Sequence, residues 1–92
     1  MILRFRHKGP ERLFATGDRS GVNHRQVRRL NKLLGTLAVS TEPGGMNIPG
    51  YGLHPLKGER KGQWAVSVSG NWRLVFEFDG ANATNIDLVD YH

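Results

Sequence analysis

The sequence predicts an α+β domain in which an antiparallel sheet is covered on one face by two N-terminal helices. Apolar residues recur at helical spacing before residue 40, and they alternate with a period of two from residue 53 onward. The length of 92 residues suffices for one hydrophobic core and leaves no room for a second. We therefore expect residues 1–92 to form a single domain.

The N-terminal part predicts a short strand and a short helix. Residues 2–6 alternate apolar and basic side chains, with Leu3 and Phe5 on one side, which is typical of a strand. Pro10 is expected at the first position of the helix, where its missing N–H has no partner to lose. Gly17 is expected to end this helix in a left-handed conformation.

The second helix has the clearest pattern in the chain. Asn23 is expected to cap its N-terminus, and Gln26 to reach back as in a capping box. Its apolar stripe consists of Val27, Leu30, Leu34 and Leu37. Its opposite face carries Arg25, Arg28, Arg29 and Lys32. A solvated surface is the simpler interpretation of these cations, but their mutual repulsion without an interleaved acid favours a bound polyanion.

A long loop and a series of strands complete the chain. Residues 40–52 are rich in glycine and proline, and loops of this length in small domains are often functional. Beyond a short first strand, three longer strands follow, each with one apolar face. These faces are Trp64, Val66 and Val68, then Trp72, Leu74, Phe76 and Phe78, and finally Ile86 and Leu88.

Side chains alternate between the two faces of a strand, so the number of residues in each turn decides which residues share a face. Val68 and Trp72 can share the buried face only if an odd number of residues joins them. The segment Ser69-Gly70-Asn71 satisfies this, with Asn71 expected in a left-handed conformation. The same argument requires an odd loop after Asp79. The result is a consecutive antiparallel meander whose other face is polar and available, with Gln63, Ser67, Arg73 and Glu77.

Composition excludes several classes of protein. Thirteen Lys and Arg against eight Asp and Glu give a net charge of +5, and nucleic acid is the default partner of so basic a domain. The chain has no cysteine, which excludes disulfides, thiolate nucleophiles and cysteine metal sites. No apolar run approaches the roughly 20 residues of a membrane span, and no signal peptide is evident. We expect a cytoplasmic protein.

Residues able to catalyse proton transfer gather near the predicted strand ends: His54, Lys57, Arg73, Asp90, Tyr91 and His92. The other histidines, His7 and His24, are interpreted as surface residues. Histidine can serve as acid or base near neutral pH. Arg73 can clamp a phosphate and Lys57 can supply a point charge. Tyr91 can stack on a base or donate a proton, and Asp90 can orient His92 or another basic group. Together these residue types can catalyse metal-free RNA cleavage, in which the 2′-hydroxyl attacks the neighbouring phosphate.

Strand parity places Tyr91 on the same face as Arg73. A regular strand would direct Asp90 and His92 to the other face. Joint action of Tyr91 and His92 therefore requires either that the terminus bends or that the site wraps around the sheet edge. A metal held by His54, Asp90 and His92 is the alternative. Three ligands are sparse and the nearby cations would repel a metal ion, so we expect neither metal nor cofactor.

Several segments together resemble the HigB family, the proteic killer toxins of the RelE superfamily of bacterial toxin–antitoxin systems. They are Phe5-Arg6-His7-Lys8-Gly9, His54-Pro55-Leu56-Lys57-Gly58, Gly62-Gln63-Trp64, Gly70-Asn71-Trp72-Arg73-Leu74 and Asp87-Leu88-Val89-Asp90-Tyr91-His92. The resemblance covers essentially the whole chain. One position departs from the family pattern: Gly52 stands where a larger, often polar residue is expected.

The resemblance implies a microbial RNase fold of the RelE type and a ribosome-dependent endoribonuclease that cuts mRNA codons in the A site. It implies catalytic roles for His54, Asp90, Tyr91 and His92. It implies phosphate-binding roles for Lys57 and Arg73. The ribosome and mRNA, together with a cognate helix-turn-helix antitoxin, are the partners it implies. The alternative functions are a non-catalytic module that binds RNA or the ribosome, and an interaction domain for an acidic protein.

Overall fold

A computed structural model describes residues 1–91 of the chain. Two helices, α1 (Lys8–Thr16) and α2 (Val27–Val39), precede four strands: β1 (His54–Pro55), β2 (Trp64–Ser69), β3 (Trp72–Asp79) and β4 (Asn82–Asp90). The strands form one antiparallel sheet in the order β1-β2-β3-β4. Side chains from both helices and one sheet face form the core, which confirms the predicted α+β architecture. No helix within residues 1–91 is long and apolar enough to cross a membrane.

The expected strand over residues 2–6 is wrong. This segment instead makes two isolated parallel bridges to β4, from Ile2 to Ala83 and from Phe5 to Ile86. The strand β4 bulges between those two points, so a regular ladder cannot continue along it. The two apolar residues of this segment also differ in burial, because Leu3 is 50% exposed whereas Phe5 packs against the core.

The helix α1 begins earlier than predicted. His7 caps it, since the Nδ1 atom of His7 accepts a hydrogen bond from the Gly9 N–H at 2.9 Å. Pro10 is therefore the third helical residue and not the first. The helix ends as predicted at Gly17, whose φ is 79° and whose N–H donates to the Leu13 carbonyl. His7, interpreted as a surface residue, thus has a structural role.

The N-terminus of α2 differs from the predicted capping box. Asn23 does cap, but it caps a single 3₁₀ turn, His24–Gln26, that precedes α2. The Nε2 atom of Gln26 donates to Ser69 Oγ at 2.9 Å, which ties the start of α2 to the end of β2. The predicted apolar stripe is buried, and Leu33 joins it.

The turns between the long strands contain an even number of residues, which corrects the expectation of odd loops. Residues 70–71 and 80–81 form them, with Ser69 paired to Trp72 and Asp79 to Asn82. Gly70, at φ 53°, is the left-handed residue of the first turn, and not Asn71. The parity change that the apolar pattern requires comes from bulges.

One bulge accommodates an extra residue between Ser67 and Ser69, and the other lies on β4 opposite the segment between Val75 and Glu77. As a result Leu74 lies opposite Val66 on one side and Leu88 on the other. These apolar residues therefore share the buried face of the sheet.

The outer face of the sheet is less polar than expected. The four polar residues predicted to be available on it are half-buried: Gln63, Ser67, Arg73 and Glu77. Between them lie Ala65 and Val75, which are 0% and 1% exposed and pair directly with each other. The centre of this face is therefore closed to solvent, and its polar residues surround that centre.

Two glycines, one within α2 and one at the end of α1, offer a test of their assigned backbone conformations. Gly35 lies on the exposed side of α2 with open space where a side chain would start. Gly35→Ala should stabilise the fold by about 0.5–1 kcal/mol, because alanine loses less backbone entropy in a helix. Gly17→Ala should destabilise it by roughly 1–2 kcal/mol, because a left-handed residue is strained by a Cβ. Urea unfolding measures both, and a destabilising Gly35→Ala would contradict the assignment.

Candidate active site

The outer face of the sheet brings His54 and Arg73 into one region. His54 pairs with Ala65, which pairs with Val75, and Arg73 lies one row further along, opposite Ser67. Residues directly opposed in an antiparallel ladder share a face. Standard strand spacings place the Cα atoms of His54 and Arg73 roughly 12 Å apart. An RNA backbone that crosses this gap can contact both side chains.

Tyr91 lies on the same face, as parity predicted. Arg73 pairs with Val89, and the Tyr91 N–H donates to the Asn71 carbonyl at 2.8 Å, so the ladder continues to Tyr91. The side chain is half-buried. Because β3 lies between β1 and β4, Arg73 stands between His54 on one side and Tyr91 on the other.

The remaining predicted catalytic residues do not join this face. Asp90 is exposed and pairs with Trp72, which places it on the face opposite Arg73. His92 lies outside the described residues. Among residues 1–91, no three His, Cys, Asp or Glu side chains are close enough together to hold a metal ion. The metal alternative includes His92, so it is not tested by this part of the chain.

One hydrogen bond orients the imidazole of His54. Its Nδ1 atom lies 2.8 Å from the carbonyl oxygen of Gly52. A carbonyl can only accept, so Nδ1 carries the hydrogen and Nε2 is the unprotonated nitrogen of the neutral ring. The side chain is exposed. Nε2 is therefore the basic nitrogen available to a substrate.

Gly52 has a conformation that explains its departure from the family pattern. Its φ is 62°, a left-handed value that favours glycine, and nothing lies within 4 Å of the position a Cβ would take. Conformation, and not lack of space, selects glycine here. The preceding Tyr51 is buried, and its carbonyl accepts from the Ser67 N–H at 2.7 Å. The long loop is thus fastened to β2 just before it presents His54.

The guanidinium of Arg73 is also held by backbone carbonyls. Its Nη1 atom donates to the Gly70 carbonyl at 2.8 Å and to the Trp72 carbonyl at 3.1 Å. The other guanidinium nitrogens can still donate to a phosphate. Lys57 follows β1 closely, is exposed, and precedes a 3₁₀ turn, Gly58–Arg60. Lys57 is therefore a second candidate cation close to His54 in the chain.

The basic face of α2 divides into two parts by its contacts, and its binding of a polyanion stays a prediction. Arg29 and Lys32 lie over the ring of Tyr51, at 4.7 and 5.3 Å from its centroid. Arg29 also donates to the Val68 carbonyl at 2.8 Å, next to the bulge. These two cations therefore support the loop and β2. Helical periodicity does not predict this role, because Tyr51 is distant in the chain.

Arg25 and Arg28 lie on the other side, where they line an open hollow of about 730 Å³ between the two helices. Arg19 and His24 line it as well, above a floor that includes Leu13. This surface belongs to the helix layer, on the other side of the sheet from His54 and Arg73.

Comparison with known proteins identifies the family. The sequence model for the RelE-like toxin of type II toxin–antitoxin system HigB matches residues 3–92. The chain belongs to the HigB-like toxin family. It is 44% identical, over all 92 residues of both proteins, to the Endoribonuclease HigB of Proteus vulgaris. The resemblance carried by the sequence motifs is thereby confirmed, and membership of a type II system implies an antitoxin as partner.

The Gly52 carbonyl offers a test of how this HigB-like toxin orients His54. Gly52→Ala places a Cβ in a left-handed conformation that costs roughly 1–2 kcal/mol, so the loop should shift and its carbonyl should leave Nδ1. Gly52→Asn should retain the wild-type tautomer, because asparagine tolerates that conformation better. Nitrogen-15 NMR of the neutral imidazole distinguishes the two outcomes. An unchanged His54 tautomer in Gly52→Ala would refute the role of the carbonyl.

Proposed function

We propose that this HigB-like toxin is an endoribonuclease that cuts mRNA codons in the A site of the ribosome by acid–base catalysis. Cleavage of RNA is the activity named for its full-length relative. The observation that carries the mechanism is the order of His54, Arg73 and Tyr91 across one sheet face. A base, a phosphate clamp and an acid lie there in that spatial order across the strands.

The reaction begins at the 2′-hydroxyl of the substrate. Nε2 of His54 takes the hydroxyl proton, because its other nitrogen is engaged as a donor to Gly52. The 2′-oxygen then bonds to the adjacent phosphorus while the bond from phosphorus to the 5′-oxygen breaks. The leaving 5′-oxygen takes a proton from an acid. The products are a 2′,3′-cyclic phosphate and a 5′-hydroxyl.

Arg73 stabilises the charge that develops on the phosphate oxygens. Its guanidinium is anchored before substrate arrives, and a preorganised donor costs no reorganisation during the reaction. Lys57 adds a mobile positive charge on the His54 side. Two cations at this position also disfavour a metal ion as the source of charge stabilisation.

Tyr91 is the described group that can protonate the 5′-oxygen. It lies beyond Arg73 as seen from His54, which suits an in-line displacement with base and acid on opposite sides of the phosphate. The family resemblance also assigns Asp90 and His92 to the reaction. Asp90 occupies the other face and His92 lies outside the described residues, so both assignments stay predictions.

The dependence on the ribosome is supported by the second basic surface. Cleavage of free RNA requires only the sheet face, but Arg25 and Arg28 present charge on the helix layer. That surface can bind ribosomal RNA through its phosphates while the sheet face reaches the mRNA. Action on ribosomes places the toxin in the cytoplasm. The antitoxin that the type II system provides is expected to be a helix-turn-helix protein.

The decisive experiment maps 5′ ends on a translated mRNA by primer extension, with and without ribosomes. The wild-type chain should cut only when ribosomes are present. His54→Asn retains a donor near the position of Nδ1 but lacks the basic Nε2, so cutting should fall about 100-fold or more. Asp79→Asn changes an exposed residue of β3 that lines neither surface, and it should cut at the wild-type rate. Cutting by His54→Asn at the wild-type rate would refute the mechanism, and ribosome binding without products would identify a non-catalytic module.

The helix surface offers a separate test of ribosome binding. The double variant Arg25→Ala, Arg28→Ala should bind ribosomes more weakly and with a shallower dependence on salt, because fewer counterions are released. Lys8→Ala removes one charge elsewhere, on α1, and should retain wild-type binding. Sedimentation with ribosomes across a salt series measures both effects. Equal binding and equal slope in the double variant would exclude this surface from the ribosome contact.

A further inference from the structure

A second hollow lies at the end of the outer sheet face that is distant from Arg73. Its volume is about 720 Å³. Its polar lining consists of Arg4, Arg6, Glu59, Gln63, Glu77 and Asn85. Neither the family description nor the mechanism above uses any of these side chains. The mixture of guanidinium, carboxylate and amide groups suits a ligand that has both a phosphate and a hydrogen-bonding edge.

The hollow lies on the same sheet face as the candidate active site, beyond the row of His54. Glu77 follows Val75 by two residues on β3 and therefore shares its face, and Val75 belongs to the cross-strand row of His54. The distance along β3 from Arg73 to Glu77 is roughly 14 Å. A phosphate held at Arg73 would place a neighbouring nucleotide of the same strand, and not the scissile bond itself, in this hollow.

Asn85 reaches the hollow through an unusual backbone conformation. Within residues 1–91 it is the one non-glycine residue with a positive φ, 52°. It lies in the β4 bulge, between the two bridges to the N-terminal segment. Its Nδ2 atom donates to Glu77 Oε2 at 3.1 Å. Bulges and strained residues of this kind are concentrated near functional sites, where they redirect a side chain.

The bonded pair has a defined recognition chemistry. With Nδ2 engaged, the amide oxygen of Asn85 and the second carboxylate oxygen of Glu77 are acceptors. Acceptors of this kind bind the exocyclic amine of adenine, cytosine or guanine. Uracil has no exocyclic amine, and a carboxylate repels the carbonyl oxygens on both sides of its single N3–H donor. Arg4 and Arg6 lie at the edge of the same hollow and can hold the phosphate of the bound nucleotide.

We propose that this hollow is a base-reading subsite, in which Glu77 and Asn85 select a nucleotide with an exocyclic amine over uracil next to the cut. The subsite rests on the proposed endoribonuclease function and adds specificity to it. Its residues lie in a row beyond His54, outside the groups assigned to proton transfer and to charge stabilisation.

The test compares cleavage profiles, obtained by 5′-end sequencing of translated mRNA, for the wild type and two variants. Glu77→Gln retains size but presents an amide that can either accept or donate. Asn85→Gly removes the side chain and tolerates the left-handed backbone. Each variant should lose about fivefold or more of the preference for an amine-bearing base over uracil at one flanking position. Cutting at uracil-flanked sites should stay near the wild-type rate.

Asp79→Asn provides the matched control. It makes the same change of charge further along β3, on an exposed residue that does not line the hollow, and its profile should equal that of the wild type. Unchanged profiles in Glu77→Gln and Asn85→Gly would overturn the subsite and leave the endoribonuclease intact. An equal loss at every site would overturn it as well, because it indicates a structural role. A wild-type chain that cuts no RNA would overturn both proposals.

Discussion

The constraint on which the site depends is the alternation of faces in a sheet that has helices on one side. Each long strand must turn its large apolar residues towards α2, and a slip of one residue would reverse every side chain. Without the bulge near Val68, a two-residue turn would set Arg73 opposite an apolar residue of the buried face. Without the second bulge, Arg73 would lie opposite Leu88, which is also on the buried face. The two extra residues therefore place Arg73 and Tyr91 on the outer face.

That dependence explains which parts of the molecule could be predicted. The apolar alternation identified the strands and their inward faces, and parity alone placed Tyr91 with Arg73 and Asp90 opposite. Parity requires one extra residue between two strands but does not locate it, because a longer turn and a bulge satisfy it equally. The apolar pattern therefore predicted neither the bulge that contains Asn85 nor the interrupted pairing of residues 2–6.

Side-chain roles that depend on tertiary contact were missed for a different reason. Arg29 fitted the basic stripe of α2 and gave no sign that it would contact Tyr51 and the Val68 carbonyl. Gly52 was recognised only as a departure from the family pattern. Its role depends on a left-handed φ and on a carbonyl that points back at His54. Helical and strand periodicity report burial, and neither reports which backbone oxygen a side chain will find.

The same geometry gives a physical reason for the proposed dependence on a ribosome. His54 and Lys57 are exposed, and the centre of the face is closed by Ala65 and Val75. Such a surface can orient catalytic groups, but apart from the proposed base-reading subsite it has little means of fixing a flexible RNA strand in line with them. Positioning of reactants supplies much of an enzyme's rate enhancement. A ribosome already holds its mRNA in an ordered path, so a toxin bound beside it needs to supply only the base, the clamp and the acid.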